Sequence, residues 1–113
     1  MDKAMKMLDI VEIVLASREN SNITYDIKLN EKKIGYIKIM EKGIEDIWIN
    51  EDYRRKSYGT MLLNHVEWII KIACYPQIEV EAVGIDAEPF FKKNGYVLSE
   101  DAYGEYRGHK KLK

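Results

Sequence analysis

The chain has 113 residues, with 18 Lys and Arg against 19 Asp and Glu, a net charge of −1 and a hydrophobic fraction of 46%. That length suits a single folding unit over residues 1–113, and the charge balance argues against wholesale nucleic-acid binding, so any basic function is local. A single cysteine, Cys74, excludes an internal disulfide and a repeated Cys/His metal spacing; it suits a reducing interior and reads as a small side chain buried at a helix end.

The N-terminal MDKAMKMLDIVEIVLAS places Lys3 and Lys6 before an apolar run, as a signal peptide does, but Asp9 and Glu12 interrupt the run. No apolar stretch reaches the roughly 20 residues of a membrane span, so the expectation is a cytoplasmic protein without a membrane partner. Asp9 to Leu15 is rich in β-branched residues and suits a first strand, while Ala4, Leu8, Val11 and Leu15 also satisfy a helical spacing; both remain open.

NITYDIKLN alternates, with Ile23, Tyr25, Ile27 and Leu29 on one face and Thr24, Asp26 and Lys28 on the other, the pattern of a half-buried strand. KIGYIKIM follows the polar link Asn30 to Lys32, and IEDIWIN follows Glu41 to Gly43, which predicts a meander of hairpins. From Tyr58 to Ala73 the period changes to that of an amphipathic helix of about four turns. Leu62, Val66, Ile69, Ile70 and Ala73 form its apolar stripe, opposite Thr60, Asn64, Glu67 and Lys71, and Glu67 is spaced to pair with Lys71. QIEVEAV predicts the next strand, and Asp86 can cap a short helix over AEPFFKKN that Gly95 closes in a left-handed conformation. YVLSE and EYRGHKKLK predict the last strands.

Between the fourth strand and the long helix lies YRRKSYG, residues 53–59. A helix N-terminus carries unpaired N–H groups and partial positive charge, so a loop that turns amides outward there suits phosphate. Arg54, Arg55 and Lys56 add charge-assisted donors, and Gly59 permits a close backbone approach; the bland reading is a solvated basic turn.

Arg54-Arg55-Lys56-Ser57-Tyr58-Gly59 resembles the acetyl-CoA signature Q/R-x-x-G-x-G/A of the GCN5-related N-acetyltransferase (GNAT) superfamily. The preceding IWINEDY is similar to the family's strand end L-x-V-x-P-x-Y, and AEPFFKKNGY to its A-x-x-F-Y-x-K-x-G-F, so the resemblance runs from about Ile34 to Tyr96 in the family's element order. It implies an α/β (α+β) fold: a mixed, mostly antiparallel sheet, a long helix after the fourth strand and a short one after the fifth, with the N-terminal helices expected to be reduced because few residues precede the meander.

The resemblance also implies that the loop amides from Arg54 through Ser57, Tyr58 and Gly59 to Thr60 hold the pyrophosphate of acetyl-CoA. Ile47, Trp48 and Ile49 would lend backbone hydrogen bonds to the pantetheine arm, with Asp86, Phe90, Phe91 and Lys93 flanking the cofactor and no metal involved. Ser57 departs from the pattern by replacing a glycine, Glu51 by replacing a proline, and Phe91 by replacing the tyrosine that often protonates the departing thiolate.

Amide formation needs a neutral amine, so a base that takes the ammonium's proton helps. Glu45, nine residues before Arg54 and aligned by strict alternation with Ile47 and Ile49, is the first candidate and Glu51 the second. His65 reads as a residue bordering the core, His109 as surface, and nothing selects among Tyr53, Tyr58, Tyr103 and Tyr106 as acid. The expected activity is acetyl transfer from acetyl-CoA by direct attack of a primary amine: a protein lysine, an N-terminus or a small polyamine. Glu45, Asp46, Glu51 and Asp52 lean towards a cationic acceptor. The alternative is a non-catalytic CoA-binding or protein-interaction module. Few residues precede the meander, so the acceptor site is either open or completed by a second subunit in a homodimer.

Overall fold

The computed structural model describes residues 8–83 and 87–112. Four strands, β1 (Val11–Glu19), β2 (Asn22–Leu29), β3 (Lys32–Met40) and β4 (Gly43–Ile49), form an antiparallel meander. Its tight turns fall where Asn20, Asn30, Glu31 and Glu41 take positive φ, a conformation asparagine tolerates well. Helix α1 (Tyr58–Ile72) crosses over to β5 (Gln77–Val83), helix α2 (Glu88–Lys93) follows, and β6 (Val97–Glu100) and β7 (Tyr106–Lys111) end the chain. Among the described residues seven strands form one sheet in the order β1-β2-β3-β4-β5-β7-β6, in which only β4 and β5 pair in parallel. This is the mixed sheet with a long helix after the fourth strand and a short one after the fifth that the sequence predicts. Val11–Glu19 is a strand, which settles the described part of the ambiguous N-terminal segment; Ala4 lies outside the described residues.

Both helices feed one buried cluster. Leu62, Leu63, Val66 and Ile70 of α1 and Phe91 of α2 pack on Ile27, Ile34, Ile37, Ile39 and Ile44 of the meander and on Ile78 and Val80 of β5. The residues that alternate with these, among them Tyr36 and Lys38 of β3, Asp46 and Trp48 of β4 and Glu79 of β5, lie on the opposite sheet face, which neither helix covers.

The helical stripe is largely as expected, with Leu63 buried instead of Ala73, which is exposed beyond the helix end. Glu67 does not pair with Lys71. Its carboxylate, 12% exposed, accepts from the Tyr96 hydroxyl at 2.8 Å and stands 3.1 Å from Lys110 Nζ of β7. Burial, and then the charge and hydrogen bond of Glu67, push the Tyr96 phenol well above its ordinary 10.0. Cys74 is exposed, not buried: it takes the left-handed position after α1, with φ +73, while the Tyr75 N–H closes back onto Ile70 O at 3.2 Å.

Candidate active site

β4 and β5 pair only at Gly43 with Glu79 and Ile44 with Val80, so beyond Ile44 the two strands part. Unpaired backbone groups along that stretch of β4 face the gap, which opens into a cleft of about 790 Å³. At the end of β4 the Asn50 side chain accepts from the Asp52 N–H at 2.9 Å and starts a 3-10 turn over Glu51–Tyr53. The chain then enters α1 through Arg55 at φ +64 and Ser57 at φ +72.

Ser57 sits at the helix N-cap in the left-handed region, and its side chain makes no capping hydrogen bond. The first bonded amide is that of Met61, which donates to Ser57 O at 3.0 Å. Among the described residues no acceptor meets the amides of Tyr58, Gly59 and Thr60, which leaves the positive helix end open at the cleft. Arg54 donates through Nε to Ile49 O at 2.7 Å, which ties the loop to the end of β4 and leaves its outer nitrogens available. Among the described residues no carboxylate pairs with Arg54 or Arg55.

Of the residues singled out in sequence, Ile47, Trp48, Ile49, Arg54, Arg55, Ser57, Gly59, Thr60, Phe90 and Lys93 line this cleft. Lys56 and Tyr58 belong to the loop but do not line it; Tyr58 packs edge-on against Tyr53, with ring centroids 6.5 Å apart. Phe91 does not flank the cleft either. It is fully buried, with its ring edge-on to Phe90 at 5.2 Å and to Tyr96 at 5.3 Å. Asp86 lies outside the described residues, and the N-cap of α2 is Ala87.

Gly59 has a packing role beside its place in the cleft: a Cβ there would stand 3.2 Å from the Phe90 ring and 3.7 Å from Ile49 Cγ1. Tyr53, Ala87 and Pro89 complete the lining. Of the four tyrosines weighed in sequence, the cleft takes in Tyr53, the first residue of the loop.

Both carboxylate candidates, Glu45 and Glu51, are exposed and outside the cleft lining. Strict alternation fails at Glu45: Ile39 pairs with Ile44 and Lys38 with Asp46, so Glu45 is the extra residue of a bulge. The bulge turns Ile44, Ile47 and Ile49 all towards the helices. His65 borders the core as expected; its ring meets Tyr25 at 4.6 Å, its Nε2 is buried with no partner among the described residues, and burial lowers its pKa from 6.5. Among the described residues no cluster of three or more His, Cys, Asp or Glu could hold a metal, and no helix is long and apolar enough to cross a membrane.

A family model described as an acetyltransferase (GNAT) domain matches residues 19–98. No curated protein matches the chain in sequence. Among solved structures, a GCN5-related N-acetyltransferase from Rhodopseudomonas palustris superposes with a TM-score of 0.74 at 21% identity, over 80% of this chain and 62% of its own. The PaiA N-acetyltransferase of Thermoplasma acidophilum, solved in complex with coenzyme A, gives 0.73 at 20% identity, over 81% and 62%. A Bacillus anthracis str. Ames protein named as a streptothricin acetyltransferase, solved with acetyl coenzyme A, gives 0.70 at 24%, over 83% and 63%. The chain thus spans less than two thirds of the length of these structures, and at such identities the likeness establishes the fold.

Proposed function

The chain belongs to the GNAT acetyltransferase family, and on that premise we propose that it binds acetyl-CoA in the cleft between β4 and β5 and transfers the acetyl group to a primary amine by direct attack. The observation that carries this reading is a convergence: the unpaired edge of β4 and the unpaired first-turn amides of α1 open into one cleft. An extended ligand with amide groups at one end and phosphates at the other matches that pair of donor sets.

In this reading the amides of Tyr58, Gly59 and Thr60, with the outer nitrogens of Arg54, hold the pyrophosphate. The backbone of Ile47 to Ile49 binds the pantetheine arm as an added strand would, although Ile49 O is already engaged by Arg54. Acetyl-CoA supplies the thioester. A backbone N–H of the parted β4 edge stabilises the oxyanion, and Glu45, at its bulge, takes the proton of the incoming ammonium through water. Tyr53, on the cleft wall, donates to the departing sulfur in place of the tyrosine that the buried Phe91 replaces. Calorimetric titration of acetyl-CoA tests the binding half, and binding absent at millimolar ligand overturns it. Thiol release across amines and lysine peptides tests the transfer half.

Phe91 favours one second reading, a CoA-binding module without catalysis. Such a module melts at a higher temperature with CoA yet releases no thiol with any acceptor.

A further inference from the structure

On the uncovered sheet face, beside the cleft, Tyr36 and Trp48 are cross-strand partners with ring centroids 6.0 Å apart, and the Tyr36 hydroxyl donates to Asp46 Oδ2 at 2.7 Å. Trp48 also lines the cleft, so this group adjoins the proposed site of transfer. Two aromatic rings and a carboxylate form a surface that attracts a cation. The chain itself shows the preference: the Lys33 ammonium sits 5.3 Å from the centre of the Tyr36 ring, held from behind by Asp26 at 3.4 Å. Asp46 keeps Oδ1 unpaired among the described residues, and Lys38, its cross-strand partner on the same face, makes no ion pair with it.

The cleft proposed for the cofactor is walled by α1 and α2 on the inner side of the sheet, which leaves the uncovered face as the acceptor's approach to the parted strands. A carboxylate and aromatic faces stabilise the protonated form of an amine and keep it from acting as a nucleophile. An ammonium on this platform is therefore not the group acetylated. The geometry points to an acceptor that is a small diamine or polyamine, whose second, still protonated amino group rests on Tyr36, Trp48 and Asp46 while the first is acetylated. Same-face residues of a strand repeat at about 7 Å, which sets the scale of the separation between the two nitrogens.

This inference rests on the acyltransferase reading, and the experiment separates the two. Thiol release by the whole chain with acetyl-CoA is compared for 1,4-diaminobutane, butylamine and a lysine peptide, the first two of which share a reacting amine and differ in the second charge. In parallel, 1,4-diaminobutane is titrated into the CoA-loaded protein while the Trp48 indole N–H resonance is followed.

The expected result is a kcat/KM at least about tenfold higher for the diamine, the worth of one charge-assisted contact. That ratio should fall to within about threefold in Asp46→Asn and Tyr36→Leu, and the parent's indole shift should saturate. A saturating shift lost in Asp46→Asn, without thiol release from any amine, supports the site and overturns the transfer reading. Thiol release at equal kcat/KM for the two amines, with no indole shift, overturns the platform and leaves the transfer reading standing. A lysine peptide preferred over the diamine, and dependent on Asp46 to the same degree, overturns the small-acceptor assignment.

Discussion

The first turn of α1 and its C-terminal half carry polar groups under opposite conditions. At the N-terminal end the amides of Tyr58, Gly59 and Thr60 have no acceptor among the described residues, and Ser57 offers them no cap. Further along, the Glu67 carboxylate is met by both the Tyr96 hydroxyl and the Lys110 ammonium. Open first-turn amides at the mouth of a cleft suit the phosphate site proposed there. A satisfied carboxylate in the same helix marks a joint of the fold. The sequence shows the two regions as similar stretches of charged and apolar residues; what tells them apart is who answers the polar groups.

Gly59→Glu tests the open end hardest. It places a side chain and a negative charge where the pyrophosphate is proposed to sit, and charge-assisted contacts of this kind are worth about 1.5–3 kcal/mol each, so CoA affinity measured by calorimetry should fall at least tenfold. The new Cβ would also press on Phe90, so the melting temperature should drop as well. Affinity equal to the parent's would show that the open amides serve no phosphate.

Glu67→Gln tests the satisfied carboxylate further along the helix. It keeps the shape but removes the charge that faces Lys110 and Tyr96, and should cost about 1–3 kcal/mol in denaturant unfolding while CoA affinity stays within about twofold. Loss of CoA binding at full stability would erase the distinction between the two regions.

Ser57→Gly relieves a non-glycine residue at φ +72. The left-handed penalty exceeds glycine's entropic cost, so a gain of about 0.5–1 kcal/mol is expected in the same assay. A loss of stability would mean that the serine side chain holds the loop in a way its missing cap bond does not reveal.

His65, between the first turn and Glu67, gives the smallest effect. Burial lowers its pKa below 6.5, so above that pH both folded and unfolded chains hold it neutral and its contribution is complete. As the pH falls below 6.5 the unfolded chain takes up the proton first and stability declines, by no more than one proton's worth of slope. His65→Leu should flatten the pH profile of the melting temperature between pH 6.5 and the lowered pKa, and an unchanged profile would assign the slope to other groups.

Most of the architecture was legible because it rests on local periods. The alternation of NITYDIKLN, the change of period after Tyr58 and the glycine at position 95, found at φ +93, each announce their element within a few residues. The cleft was legible in outline because YRRKSYG sits between a strand and a helix. What escaped depends on distance or on a single irregular residue. Glu67 is answered from 29 and 43 residues away, so no local pattern shows that it is enclosed. The bulge at Glu45 shifts the phase of β4 by one residue, and a strict period of two cannot register it. Phe91 and Phe90 are adjacent and chemically alike, and only the packed helix shows which one faces the core. Cys74 is turned outward by a left-handed backbone at a non-glycine residue, for which the sequence carries no strong signal.

The two lone pairings between β4 and β5 also bear on how the chain assembles. The meander closes through tight hairpin turns, whose contacts lie near in sequence and form early and fast. β5, by contrast, can join only after α1 has crossed over, and it then gains two ladder positions from the strand it joins. The sheet therefore offers little incentive for that late step, and the burial of Leu62, Val66 and Ile70 against Ile37, Ile44 and Ile78 must supply it. The expected order of events is a meander formed first, a helix that docks on it, and three C-terminal strands recruited by the helix more than by the strand beside them; φ-values higher in the meander than in β5 would bear this out, and the reverse would overturn it.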